Sequence, residues 1–226
     1  MNKDTLIQTV PLFSDLSETS LKVITEKMVA RSYDKEKMIL IEESAGETFF
    51  LISNGSVKIT RMSDDGREVI LAILGEGDFF GEMALLDGEG RSANVVALED
   101  AEVLTLQRSD FLDILERFPK IAIHLLKELT TRIRHSDQQI ESLSLSGAEQ
   151  RIALVLIRLA EEMGQIKEGT VTIEHIPYQQ DIANMAGTSR ETVSRVYKML
   201  EDKNHIVREG KTLKIIAFST FSRQFT

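Results

Sequence analysis

Between Arg31 and Leu106 the apolar positions fall in short runs that alternate with polar residues or are almost continuously β-branched and aromatic: KMILIEE, TFFLISNGSVKITRM, EVILAIL, ANVVALED and AEVLTLQ. Turn residues separate them at Asn54-Gly55, Asp64-Asp65-Gly66, Gly75 to Asp78 and Asp87-Gly88. Such runs, spaced at about 8 to 12 residues, predict an all-β barrel or jelly roll. A small helical cap ahead of it is predicted from SETSLKVITEKM.

Past Leu106 the period turns helical. RSDFLDILERF predicts a helix with Ser109 as its N-cap, and Pro119 opens a second one at a position where a missing N–H costs nothing. In that second helix Ala122, Leu126, Leu129, Ile133, Ser136, Ile140 and Leu143 recur at alternating spacings of four and three. This is the seam of a coiled coil, and its length calls for a partner helix, most simply the same helix of a second chain. Ser136 is its one polar member. SLSLSG then predicts a hinge at Gly147. Beyond it, AEQRIALVLIRLAEEMG reads as an amphipathic helix ended by Gly164 and TVTIEHI as a short strand. YQQDIANMAG and SRETVSRVYKMLEDKN are two helices about the turn Ala186-Gly187-Thr188, and HIVREGKTLKIIAF is a hairpin turning at Glu209-Gly210. Two helices about a tight turn followed by a hairpin make a winged helix-turn-helix. The predicted fold class is α+β: a jelly-roll barrel over 1–118, a dimerisation helix with its hinge over 119–146, and a winged helix-turn-helix over 147–226.

Charge divides along the same line. Residues 1–146 carry 16 Lys+Arg against 26 Asp+Glu, whereas 147–226 carry 11 against 10, so the overall charge of −9 belongs to the first part. A local basic face on the second part is therefore compatible with the acidic total. The absence of cysteine among 226 residues excludes disulfides, thiolate-held zinc and Cys-ligated iron–sulfur clusters. No apolar run approaches the ~20 residues of a membrane span, and MNKDTLIQTVPLF lacks the plan of a secretion signal. A cytoplasmic protein without membrane contact is expected. His124, His135, His175 and His205 have no spacing suited to a metal, and no nucleophile–base grouping suggests an enzyme.

One segment carries chemistry that packing does not require: FGEMALLDGEGRSANV. Gly81 before Glu82 at the start of a short helix leaves the N–H groups of Met83 and Ala84 available to an anion. Arg91 adds a charge-assisted, bidentate donor and Ser92 a hydroxyl. Glu82, when ionised, only accepts, so beside a phosphate it suits a sugar hydroxyl. Phosphate and sugar on one small ligand satisfy the whole set. The plainer alternative is an internal Glu82–Arg91 ion pair that braces the loop.

These residues resemble the phosphate-binding cassette of cyclic-nucleotide-binding domains, and DIANMAGTSRETVSRVYKMLEDKNHI resembles the DNA-binding motif of the cyclic-AMP receptor protein and fumarate-nitrate regulator family. The order of barrel, long helix and winged motif extends the resemblance over nearly the whole chain. It implies that Glu82 takes the ribose hydroxyl, Arg91 the cyclic phosphate, and Ser92 with the amides at Gly81, Met83 and Ala84 the remaining phosphate oxygens. Arg132 matches a position near the pocket, and Ser136 and Asp137 stand where the family meets the nucleobase. Asp137 departs from the usual hydroxyl residue there and suits either an exocyclic amine or a guanine edge. On the recognition helix the resemblance places Arg190, Glu191 and Arg195 against bases, with Ser189, Thr192 and Ser194 at phosphates or in capping. Arginines read guanine and the glutamate reads cytosine, so a two-fold operator with GTGA-like half-sites is expected. Pro177-Tyr178 replaces the usual Ser/Thr at the start of the motif's first helix.

The implied function is a homodimeric, DNA-binding transcriptional regulator controlled by a cyclic nucleotide, cyclic AMP before others, and working with RNA polymerase. Two alternatives remain open at the level of sequence. One keeps DNA binding but changes the effector to cyclic di-GMP or another phosphorylated metabolite, or removes it. The other is a cyclic-nucleotide-binding regulatory subunit that acts on a partner protein.

Overall fold

A computed structural model describes residues 7–8 and 10–225 of the chain. It divides into two compact units, Met1–Arg134 and His135–Thr226.

The first unit is built on two four-stranded antiparallel sheets. One runs in the order β1 (Val29–Tyr33), β8 (Ala101–Gln107), β3 (Thr48–Asn54), β6 (Phe79–Phe80); the other runs β2 (Met38–Leu40), β7 (Asn94–Ala97), β4 (Val57–Met62), β5 (Glu68–Leu74). The near-continuous apolar character of β3 has a direct cause, since both of its faces are buried. Phe49 and Leu51 join a cluster with Phe79, Leu104, Leu106, Phe111 and Ile114, while Phe50 and Ile52 pack with Val57, Phe80, Val95 and Val103. Phe49 stacks on Phe111 with centroids 4.7 Å apart, which fixes a helix against the outer face of the sheet.

The cap helix α1 (Glu18–Lys27) forms as predicted, with Ser17 accepting from the Ser20 amide. A short helix α2 (Glu82–Asp87) follows β6. The helix α3 (Arg108–Arg117) departs from expectation at its start. Ser109 lies inside it, and the N-cap position belongs to Gln107, without a side-chain capping bond. Strand β8 runs straight into the helix, and the Arg108 amide is already satisfied by the Glu47 carbonyl at 2.9 Å, so the chain turns helical before Ser109 can cap it.

Pro119 opens the long helix α4 (Pro119–Leu145). Ile121 and Leu125 anchor its first turns in the core of the first unit. The predicted seam points the other way: Leu126, Ile133 and Ile140 are 63%, 61% and 63% exposed. Only Leu129 leans partly on the core.

In the second unit, α5 (Ala148–Met163) starts at an extended Gly147 (φ −70°, ψ 163°) and stops at Gly164. The helix-turn-helix consists of α6 (Gln179–Ala186) and α7 (Arg190–Asp202), joined through a left-handed Gly187 at φ +58°. Strands β11 (Ile206–Glu209) and β12 (Thr212–Ile215) form the wing. They belong to a sheet ordered β11-β12-β10-β9, with β10 at Thr170–Ile173 and β9 at Gln165–Lys167. The three-residue β9 and the terminal helix α8 (Phe218–Phe225) were not read from the sequence. The first is too short and exposed to show a period, and the second is anchored by only two buried side chains, Phe221 and Phe225.

Candidate functional site

Strand β6 delivers the chain to Gly81, whose φ of +83° is the left-handed region that favours glycine. The constraint is also spatial, because a Cβ there would lie 2.7 Å from Arg91 Nη1 and 3.0 Å from the Thr48 carbonyl. Helix α2 begins at Glu82 with no side-chain cap on its first amides. Ala84 and Leu85 are buried and hold the helix in place, whereas Met83 is half exposed. Gly88, at φ +77°, ends it.

Arg91 is 5% exposed. Its Nη1 donates to the Gly81 carbonyl and its Nη2 to the Thr48 carbonyl, both at 2.7 Å. Its backbone is pinned as well, with the amide on Ser44 O at 2.9 Å and the carbonyl accepting from Glu43 N at 2.8 Å. Two carbonyls orient a guanidinium but do not neutralise it. Nε is buried without a hydrogen-bond partner, and burial pulls the Arg91 pKa below its ordinary value, against the charges of Glu82 and Glu47. The expected ligand-facing arginine is thus seated by neutral groups of its own chain, and the bracing ion pair with Glu82 is replaced by a different one.

That pair is Glu82 with Arg132. Glu82 is 3% exposed, and Arg132 Nη1 donates to its Oε1 at 3.1 Å. Arg132 Nη2 reaches the Phe79 carbonyl at 2.7 Å, with its Cζ 4.5 Å from the Phe79 ring centroid. Burial pushes the Glu82 carboxyl above its ordinary range; Arg132, the residue's own amide and Arg91 oppose this. Ser92 sits at the exposed rim, its hydroxyl 3.6 Å from Met83 Sδ.

The structure therefore brings together Gly81, Glu82, Met83, Ala84, Arg91, Ser92 and Arg132. Ser136 and Asp137 lie exposed on the part of α4 that belongs to the second unit. Sequence reasoning missed Gly46. A Cβ at Gly46 would stand 2.3 Å from Ala84 Cβ and 3.1 Å from Arg91 Cζ, so its absence makes room for both. The isolated glycine of SAGETFF is the only trace in the sequence.

The second surface is α7. Val193, Val196, Tyr197 and Leu200 form its buried face, which leaves Arg190, Glu191, Ser194 and Arg195 outside. Ser189 caps the helix, accepting from the Thr192 amide at 3.2 Å with its hydroxyl 3.2 Å from that of Thr192. Those two residues are thereby set as the frame of the surface. The Glu191 carboxyl is held below its ordinary range by its own amide and the Ser189 hydroxyl, so at neutral pH it is an acceptor. A brace not foreseen from sequence joins the wing to this helix. Arg208 donates to both oxygens of Glu201 at 2.7 and 2.9 Å, and its guanidinium lies 4.9 Å from the Tyr197 ring centroid. Tyr178 takes the N-cap of α6 without a side-chain capping bond.

Residues 30–118 match the family model of the cyclic nucleotide-binding domain, and residues 150–220 that of the Crp-like helix-turn-helix domain. The chain is 36% identical over 216 residues to the cyclic AMP receptor protein of Thermus thermophilus, covering 92% of this chain and 97% of that one. FixK2 of Bradyrhizobium japonicum shares the fold with a TM-score of 0.77 at 23% identity, over 87% of this chain and 96% of that one. The c-di-GMP responsive regulator CLP of Xanthomonas campestris does so with a TM-score of 0.73 at 22% identity, over 88% and 99%.

Proposed function

Because the chain belongs to the cyclic-AMP receptor protein and fumarate-nitrate regulator family of DNA-binding transcriptional regulators, we propose that it is a homodimer that binds its operator in response to cyclic AMP. The observation that carries the effector side is Arg91. Arg91 is only 5% exposed, and its guanidinium is oriented but not neutralised by two carbonyls, so it offers an anionic ligand oxygen a fixed positive charge. The uncapped start of α2 adds amides for the same phosphate. Glu82, beside Arg132, accepts from a ribose hydroxyl. Cyclic AMP as the ligand is supported by the identity with the Thermus receptor. Ser136 and Asp137 are assigned to its base.

The exposed seam of Leu126, Ile133 and Ile140 supports pairing of α4 with its copy, which places the two recognition helices on one side of the operator. Arg190 and Arg195 read guanines and Glu191 a cytosine in half-sites about 34 Å apart. Ligand free energy then shifts the hinge near Gly147 and with it the spacing of the two α7 helices. The regulator works in the cytoplasm with RNA polymerase. No helix among the described residues is long and apolar enough to cross a membrane.

A second reading rests on Asp137, whose carboxylate suits a guanine edge and hence cyclic GMP or cyclic di-GMP. Calorimetry of the purified protein against cyclic AMP, cyclic GMP and cyclic di-GMP separates the two. Arg91→Leu removes a buried charged donor and is expected to weaken effector binding by about 2–5 kcal/mol. An unchanged isotherm for the folded variant overturns the pocket assignment.

A further inference from the structure

Strand β11 lies at the edge of its sheet, and of its four residues only Ile206 is buried. Beyond Ile206 the strand has no apolar anchor of its own. Arg208 supplies a different one, because its fork grips both carboxylate oxygens of Glu201 and its guanidinium lies over the Tyr197 ring. The side chains of Arg208 and Glu201 are 31% and 32% exposed, so the pair is better shielded than a fully solvated surface bridge. Their mutual hydrogen bonds hold the Glu201 carboxyl below its ordinary value and the Arg208 guanidinium above its own.

Where this grip falls on α7 gives it a further consequence. Arg190, Ser194, Tyr197 and Glu201 follow one another at spacings of four, three and four, so they form one stripe along the helix. From Ser194 to Glu201 is about two turns, or roughly 10 Å. The wing is thus seated on the stripe that carries Arg190 and Ser194, at its far end. Past Arg208 the chain turns at Gly210, in the left-handed region at φ +63°, and reaches the exposed Lys211. That tip is held from its other side as well, since Ile176 N, just ahead of α6, donates to the Lys211 carbonyl at 3.0 Å. Glu209 and Lys214 pair across the wing at 2.9 Å, so among the described residues Lys211 carries the unpaired positive charge of the turn. A cation held at a set distance from base-reading side chains meets the sugar–phosphate backbone without a further ordering cost, whereas a loose one must first be ordered.

We propose that Arg208 is a positioning residue for operator binding: by clamping β11 onto the Tyr197–Glu201 end of the stripe, it holds the Lys211 tip in line with the base-reading face, so that bases and backbone are engaged in one rigid docking. This rests on the assignment of α7 to the bases made above; the clamp itself does not.

The test uses full-length protein at saturating cyclic AMP and a two-fold duplex with GTGA half-sites. Arg208→Met keeps the stem and loses the donors, and Arg208→Lys keeps the charge but not the fork. Arg208→Met is expected to lower operator affinity by about three- to tenfold, and to flatten the dependence of log affinity on log salt by about one per protomer, with Arg208→Lys in between. Glu201→Gln is expected to weaken binding too, although it removes a negative charge near the DNA, and Arg208→Met added to it to cost less than about twofold more. An Arg208→Met loss undiminished in the Glu201→Gln background overturns the proposal, because Arg208 then touches the operator itself. Wild-type affinity in a folded Arg208→Met protein overturns it as well. Should Arg208→Met fail to fold, Arg208→Lys carries the same cycle with a smaller loss, and no loss overturns it. A wild-type protein that binds no such duplex refutes the half-site and effector reading alone. The clamp is then judged by amide hydrogen exchange over residues 206–212, where faster exchange in the variant than in wild type supports it and equal exchange overturns it.

Discussion

Arg91 and Arg195 are both arginines that the proposed function assigns to a phosphate-bearing partner, but the protein prepares them in opposite ways. Arg91 is 5% exposed, held by the Gly81 and Thr48 carbonyls and tethered through its backbone to Glu43 and Ser44. Arg195 stands in water on the outer face of α7, and only the helix beneath it is fixed. The buried arrangement loses stability through desolvation in the free protein and, on the proposed function, gains a donor already held in place for the ligand. The exposed one loses nothing in the free protein and, on the proposed function, must order its side chain when DNA binds. A small ligand with few contacts requires the first arrangement. A long operator with many contacts tolerates the second.

The sharpest way to break the buried arrangement is Gly46→Ala. The added methyl would lie 2.3 Å from Ala84 Cβ, so either α2 or the Arg91 head must move. The expected cost is about 1–3 kcal/mol of stability, accompanied by loss of effector affinity. Thermal melting and cyclic-nucleotide calorimetry on the same sample read both, and a variant with wild-type values in each would remove Gly46 from the site. Arg195→Ala tests the exposed arrangement. Operator affinity is expected to fall about tenfold, within the 1–3 kcal/mol of one base contact, with melting and effector binding unmoved. A competition assay with operators changed at single positions should show relaxed preference at one base pair. A uniform loss across all sequences would make Arg195 a phosphate contact instead.

The two regions also differ in what a sequence reader can see. The recognition helix was legible because its code is periodic: Val193, Val196, Tyr197 and Leu200 inside, Arg190, Glu191, Ser194 and Arg195 outside. The strands of the barrel and the seam of α4 were legible for the same reason. Gly81, Glu82, Arg91 and Ser92 were singled out through local spacing, and the structure brings them together. What escaped was the set of backbone acceptors that hold the arginines, which carry no letter of their own. The carbonyls of Thr48, Phe79, Ser146 and Ala186 anchor Arg91, Arg132 and Arg151 across separations of 43, 53, 5 and 35 residues. Gly46 escaped because a glycine's role there is the room it leaves. Ser109 misled because a serine before a helical run looks the same whether or not the preceding strand has already satisfied the helix's first amide.

The smallest expected effect separates the two regions by sign. Burial holds the Glu82 carboxyl above its ordinary value, while its own amide and Ser189 hold that of Glu191 below. For a raised carboxyl the folded state keeps a proton that the unfolded chain has released. Wild-type stability relative to Glu82→Gln should therefore be highest at about pH 4 and decline as pH rises through the folded pKa. For a lowered carboxyl the order reverses, so the advantage of wild type over Glu191→Gln is present near neutrality and is lost as pH falls through the folded value. Glu191 is fully exposed, which makes its trend the weaker of the two. Melting temperatures of both variants between about pH 4 and pH 8, always read as differences from wild type, give two lines of opposite slope. If the Glu82 line instead rose with pH, the Arg132 charge would outweigh desolvation, and the cassette would be an internally balanced ion pair rather than a site holding uncompensated charge for its ligand.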